Sequence, residues 1–313
     1  MFFSWFVFGT KRIKADGSCA VDIFILQVLN ALFYASILYL IASGFTLIFG
    51  VMGIANMAHG SFYAVGAFVT AWSLGFLQSR GVEPWLLVFF LPLGAIAVAI
   101  LGMLIEPILL RPFYQRAHEY QLLLTFGVLL IIEDGIQMIF GSDPLLVDMV
   151  IAPFGSLQIF SFRYPNYNFV VIGTGLVTAF LLWALMYRSR FGVVLRATSQ
   201  DMRMASAMGI NVGKVYVLAF GIGSFLAGLG GAIIVPTQTA VVGMGLEALI
   251  IAFVVVAVGG IGSQLGALIG ALLVALVRTA GVHFVPEIEL AVLFLIAVGV
   301  LLWRPTGLLG NAP

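Results

Sequence analysis

A chain of 313 residues that is 62% hydrophobic and 9% charged has too little polar surface to enclose its apolar side chains in one water-soluble core. Its net charge of +1 comes from dispersed residues, which argues against a nucleic-acid partner, and its single cysteine, Cys19, rules out an internal disulfide. The lipid bilayer is the expected solvent, and because the long uncharged stretches do not alternate polar with apolar residues, the expected fold class is all-α, a polytopic helical membrane bundle.

Residues 1–9 are apolar but short, lack a preceding basic region and are followed by Lys11, Arg12 and Lys14, so they do not read as a cleavable signal peptide. Residues 1–27 are taken as an N-terminal segment at the membrane interface, and 28–309 as one transmembrane domain. Crossing about 30 Å of hydrocarbon takes roughly 20 residues of helix. Six clear spans are expected at 28–49, 62–77, 85–110, 122–140, 169–187 and 215–235. Three shorter apolar pieces follow at 246–258, 265–277 and 290–303, for eight or nine spans in all, one Gly-rich segment re-entering if not crossing.

Two breaks interrupt this pattern. The first, residues 50–60, ends in Asn56-Met57-Ala58-His59-Gly60, with Ser61 next; the second is Gly259-Gly260-Ile261-Gly262-Ser263. Paired interruptions point to an internally repeated transporter fold whose broken helices meet inside the membrane. On another reading, Gly262, Gly266 and Gly270 simply let two helices pack closely. Asn56 and His59 either cap freed backbone or touch a solute, since polar groups in an apolar region need partners. The candidate pathway set is therefore Asn56, His59, Gly60, Ser61, Gly259, Gly260, Gly262 and Ser263.

Glu133 and Asp134 fall inside the fourth expected span, about 100° apart on a helix, so they do not form a proton-sharing pair. They either bond to neighbouring helices near the end of the span or move protons, as in a proton-coupled carrier. Glu106, before Arg111 and Arg116, reads as an ion pair at the membrane surface, while Trp72, Trp85, Trp183 and Trp303 fall near span ends as an aromatic belt would.

Arg188, Arg190, Arg196, Arg203 and Lys214 lie in one loop, 188–214, against the single acid Asp201, which places that loop in the cytoplasm. By the same parity the acidic 143–148 loop lies outside, and Lys11, Arg12 and Lys14 fall outside too, against the rule. Within the loop, residues 197–209 form a short amphipathic helix with Met202, Ala205 and Met208 on one face, ended by Gly209. Such a helix lies on lipid or docks on a partner protein. The chain has no G-x-x-x-x-G-K-[ST] phosphate loop and no nucleophile paired with a base, so neither an ATPase nor an intramembrane enzyme is expected, and no cofactor or metal site is assigned.

Four strings, Ile54 through Gly60, Glu106 through Pro112, Arg196 through Asn211 and Gly259 through Gly266, resemble in order the LivH-like branched-chain amino acid permeases of ABC importers. The resemblance covers about 28–309. It implies an inner-membrane subunit that forms a pathway with a second, different permease, driven by two cytoplasmic ATP-binding subunits and fed by a periplasmic substrate-binding protein. It also implies that the loop docks on the ATPase, through Arg196, Asp201, Met202, Ala205, Met208 and Gly209. Relatives often carry an acid directly after the His-Gly pair, where this chain has Ser61, and often an uncharged amide where it has Glu133-Asp134. Urea, short amides and aromatic or other carboxylates therefore stand beside amino acids as expected substrates.

Overall fold

In hydrocarbon only a helix or a closed barrel satisfies the backbone, and the computed structural model, which describes residues 17–284 and 286–310, contains twelve α-helices among those residues. Helix α1 (Gly17–Met52) is followed by α2 (His59–Ser79), by α3 (Pro84–Leu87), which continues through a 3-10 turn into α4 (Pro92–Ile105), and by α5 (His118–Phe140). After a short hairpin come α6 (Asn166–Arg188), α7 (Arg190–Gln200), α8 (Met202–Ala207), α9 (Val212–Ile234), α10 (Met244–Gly259), α11 (Gln264–Phe284) and α12 (Glu289–Trp303). All nine expected apolar pieces are helices. Seven helical stretches are long and apolar enough to cross a membrane, counting Pro84–Phe113 as one, and Met244–Gly259 and Ala291–Trp303 are shorter apolar helices.

Two boundaries moved for physical reasons. Residues 17–27, taken as part of the N-terminal segment, are helical and continuous with α1, and residues 1–16, with Lys11, Arg12 and Lys14, lie outside the described residues. Helix α11 runs past 277 because Arg278, which ends the apolar run, stays helical and finds a carboxylate on α10. At the end of α4, Pro107 lacks an N–H, and the chain widens into a π turn, Glu106–Leu110.

Between α5 and α6 the chain forms an antiparallel hairpin of β1 (Ser156–Ile159) and β2 (Phe162–Pro165), closed where Ile159 pairs with Phe162. The Ser161 hydroxyl donates to Asp22 Oδ2 at 2.6 Å, which fixes the start of α1 at the hairpin end of the bundle. The other end carries α7 and α8; there Leu47 and Val51 of α1 pack with Leu195 and Val215.

Lipid tails are as apolar as leucine, so membrane helices associate through close packing of small residues. Helix α9 is largely buried, and its glycines receive the helices around it. Gly223 meets Gly44 and Ile48 of α1, Gly228 meets Gly66 of α2 and Val98 of α4, and Ser224 meets Gly102 of α4. Helices α1 and α9 run antiparallel, since Ile41 lies against Gly230 and Ile48 against Gly223. Helices α5 and α6 are mostly exposed and form the outer wall.

Candidate functional site

Helix α1 ends at Met52, where Gly53 takes φ +68 and donates its N–H to Phe49 O at 2.8 Å. The chain then turns back into the bundle. Thr125 Oγ1 donates to Ala55 O, and Ser61 Oγ to Leu129 O, both at 3.4 Å, so residues 55–61 climb along one face of α5. His59 Nε2 donates to Ile41 O at 3.0 Å. Ile41 is about 16 Å, eleven residues of helix, from the last residue of α1. Helix α2 therefore begins deep inside the bundle, and its first turn, His59, Gly60 and Ser61, is buried.

Asn56 acts on the break itself, its Oδ1 accepting from Ala58 N at 3.1 Å while its carbonyl accepts from His59 N. His59 does not cap: its ring is fully buried beside Phe45 and Phe62 and ties the start of α2 to α1. Asn56 Nδ2 and His59 Nδ1 are buried with no hydrogen-bond partner among the described residues.

A second helix starts against the first turn of α2. After α9 the chain runs without helix from 235 to 243, and α10 begins at Met244 with Gly245 pressed against Gly60. A β-carbon on either glycine would collide with the carbonyl oxygen of the other. The structural counterpart of the first break is thus 235–243, following a helix antiparallel to α1, and not 259–263.

The second expected break does other work. Gly259 packs on Gly266 and Gly270, as close helix packing requires, and Ser263 Oγ caps α11 by accepting from Gly266 N at 3.0 Å. The C-terminal segment crosses Gly260, with Leu308 N donating to Val258 O and Leu309 N to Gly259 O, both at 2.9 Å. Gly262 alone reaches the first break, lying against Gly50.

Glu133 joins the two helix starts, the buried one of α2 and the partly exposed one of α10. Its Oε1 accepts from Ser61 Oγ at 3.4 Å and its Oε2 from Gly243 N at 3.2 Å, while Asp134, next along α5, is exposed. A helix N-terminus carries partial positive charge and unsatisfied N–H groups. Two such ends converge here on one carboxylate, an arrangement suited to holding negative charge inside a membrane.

Sequence reasoning missed Glu247 and Arg278. Arg278 Nη2 lies 3.4 Å from Glu247 Oε1, and its guanidinium sits 4.9 Å over the Tyr34 ring. The available signal was one charge in the first turn of α10, between Leu246 and Ala248, and another in the last third of α11, between Val277 and Thr279.

At the opposite end, Glu106 is fully buried, paired with Arg111 at 2.8 Å and bonded by the Tyr114 hydroxyl at 2.5 Å. Burial, then this bond, raises the Tyr114 phenol above its ordinary pKa. Arg111 also donates to Gly213 O at 3.1 Å, which ties α4 to the start of α9.

The loop 188–214 departs from the single helix expected over 197–209. Asp201 breaks it: α7 stops at Gln200, and Asp201 Oδ1 caps α8, accepting from Arg203 N and Met204 N at 2.9 Å each. Gly209, at φ +83, closes α8, with its N–H on Ser206 O and that of Ile210 on Ala205 O. Met208 falls past the end of α8 and so does not share a helix face with Met202 and Ala205. Ala205 is buried, Met202 sulfur accepts from Tyr216 at 3.4 Å, and Met204 and Met208 project outward, 62% and 77% exposed. Arg196 folds back, donating to Met186 O and stacking 5.4 Å over Tyr187.

Comparison with known proteins bears on these features. Residues 27–301 match the family described as branched-chain amino acid transport system / permease component. The chain is similar to the high-affinity branched-chain amino acid transport system permease protein LivH of Salmonella typhimurium, 30% identical over 295 residues, 92% of this chain and 96% of that one. BraD of Pseudomonas aeruginosa, a permease protein of the same kind of system, is 29% identical over 298 residues, 91% and 95% of the two chains. The guanosine ABC transporter permease protein NupQ of Bacillus subtilis is 25% identical over 232 residues, 68% and 69%. No solved structure matches the chain.

Proposed function

Since the chain belongs to the branched-chain amino acid transport permease family, we propose that it is one inner-membrane permease subunit of an ATP-driven importer for branched-chain or other amino acids. A second, different permease completes the pathway. Two cytoplasmic ATP-binding subunits drive it, and a periplasmic substrate-binding protein delivers the solute. The loop 188–214 faces the cytoplasm, as its five basic residues against one acid favour. The domain 28–309 forms the subunit's share of the pathway.

The observation that carries this reading is the pair of helix starts meeting inside the bundle, α2 at Gly60 and α10 at Gly245. Discontinuous helices whose starts meet within a membrane bundle suit alternating access, in which one half rocks against the other. Asn56, His59, Gly60 and Ser61 belong to the moving contact. Gly262 touches its edge, while Gly259, Gly260 and Ser263 hold α10, α11 and the C-terminal segment together.

Met202, Ala205, Met204 and Met208 suit transmission of the ATPase stroke: the first two seat α8 on the bundle, and the other two project a flexible apolar surface toward a groove on the ATPase. Asp201 and Gly209 fix where that short helix begins and ends, and Arg196 braces α7 on α6. The test is purification of the tagged chain from native membranes with its partners, followed by reconstituted uptake. Recovery of a second permease and Walker-motif ATPases, with uptake that requires ATP, is expected. Uptake of solute by the chain alone, driven by a pH gradient, would overturn the reading.

A further inference from the structure

Helices α10 and α11 each carry one charge in an apolar setting, and the two charges meet. Glu247 lies in the first turn of α10, and Arg278 lies fourteen residues into α11, about 21 Å along its axis. Arg278 thus stands six residues before the end of α11, and the pair lies toward one end of both helices, where a charge on an apolar helix is still costly unless it faces water or a partner. The contrast with Glu106 and Arg111 is informative. There the carboxylate is fully buried and held at 2.8 Å by Arg111, with Tyr114 as a further donor. Here the contact is 3.4 Å, and the Glu247 side chain is 65% exposed while Arg278 is 14% exposed. A carboxylate that open on an apolar helix faces water or a partner, not lipid.

The pair borders a cavity of about 80 Å³. Tyr34 and Gln238 complete its polar side, Gln238 Nε2 donating to the Tyr34 hydroxyl at 3.4 Å. Its lining also includes the aliphatic side chains of Ile41, Ile234, Ala248 and Ile251. Tyr63, one turn along α2 from His59, and Met244, at the start of α10, also line it, so the cavity adjoins the meeting of the two helix starts.

Granting the importer reading above, on which this inference rests, we propose that this cavity is the subsite that receives an amino acid during transport. Arg278 takes the α-carboxylate, Glu247 takes the α-ammonium, and the Ile41, Ile234, Ala248 and Ile251 wall takes a branched aliphatic side chain. One cation and one anion beside an aliphatic wall complement a zwitterion. Urea presents no charge to such a pair, and a nucleoside needs several neutral donors and acceptors that the wall does not offer. The substrate's two charges part Glu247 from Arg278 and satisfy each of them, which opens the small cavity around the side chain.

The test uses the complete importer in proteoliposomes, with uptake of radiolabelled L-leucine competed by 4-methylpentanoate, which lacks the ammonium, and 3-methylbutylamine, which lacks the carboxylate. Loss of one charge-assisted hydrogen bond raises the leucine KM by about tenfold or more in both Glu247→Gln and Arg278→Gln. The analogues separate them: 4-methylpentanoate competes better with E247Q than with the unaltered importer, and 3-methylbutylamine better with R278Q. The double exchange E247R/R278E keeps the pair but reverses the head against the wall, so the complex assembles while the leucine KM stays high. Ala248→Leu, which removes no charge, raises the KM for leucine more than for alanine.

Restoration of the original leucine KM by the double exchange, or an unchanged KM and analogue order in the single variants and A248L, overturns the subsite and leaves the importer reading intact. An unaltered importer that takes up another solute with ATP but no amino acid overturns the subsite as well. Leucine uptake by the chain without partners or ATP overturns the importer reading.

Discussion

The contact between α2 and α10 limits side-chain size severely. A β-carbon on Gly60 would stand 2.6 Å from Leu249 Cβ and 3.0 Å from the Gly245 carbonyl carbon, with the carbonyl oxygen closer still. Carbon atoms rest about 3.5–4.0 Å apart, so the two helix starts must separate by about 1 Å to admit one methyl group. Overpacking of this kind costs about 1–3 kcal/mol. Separation also draws Ser61 and Gly243 away from Glu133, whose bonds to them are already 3.4 and 3.2 Å long. A methyl group on Gly75, farther along the same helix, would meet no neighbouring atom within 4 Å, and alanine there favours the helix by up to about 1 kcal/mol. The assay heats the purified protein in detergent at one fixed rate, follows the monodisperse fraction by size exclusion, and measures ATP-driven uptake of each variant. Gly60→Ala is expected to lose monodispersity at a lower temperature and to lose most of its uptake, while Gly75→Ala matches or exceeds the original protein. A G60A protein as heat-stable and as active as G75A would refute the close meeting of the two helix starts.

Glu133→Ala leaves the exposed Gly243 N–H without its acceptor and Ser61 with the Leu129 carbonyl alone, which costs about 0.5–1.5 kcal/mol; Glu133→Gln keeps an acceptor oxygen and should recover most of the thermal stability and uptake. Normal stability with abolished uptake in E133Q would instead assign Glu133 to proton movement. Asp201→Ala removes both side-chain bonds at the start of α8, a loss of about 1 kcal/mol; the expected result is weaker co-purification of the ATPase, with the detergent melting temperature nearly unchanged. Gly209→Val meets open space but must hold φ +83, at a cost of about 1–2 kcal/mol. It should lower uptake per ATP hydrolysed, and an unaltered ratio counts against a role for α8 in coupling.

The helices were legible because each is a run of apolar residues long enough to demand one, and nothing in the lipid competes with intrahelical hydrogen bonding. Depth was not legible. The break before His59 announced itself through Gly53 and Asn56, yet only the Ile41 carbonyl shows that α2 starts eleven residues back along α1. Residues 235–243 carry Pro236, Thr237, Gln238 and Thr239 and read as an ordinary loop between two spans. Nothing in that stretch alone distinguishes a loop at the surface from one that sinks inward until Gly245 meets Gly60. The Gly259 to Ser263 string was the louder signal, but its glycines serve α10–α11 packing and the C-terminal segment, and small residues mark close approach whatever its purpose.

Charge misled in the same way. Glu133 and Asp134 drew notice as neighbours, but the structure parts them: one joins two helix starts and the other faces outward. Glu247 and Arg278 are thirty-one positions apart and each sits at the edge of an apolar run, where a charge reads as a span boundary. Helix periodicity records which face a residue occupies on its own element. It does not record which face of another helix lies opposite. For a permease this is the decisive gap, because a solute passing between helices is recognised by residues that are distant in sequence and adjacent only after packing. Arg278 over Tyr34 and beside Glu247 is such a constellation, assembled from α1, α10 and α11. A search of related chains for substrate-determining residues should therefore begin at charges that terminate apolar runs, and pair them by the antiparallel contacts of the helices that carry them.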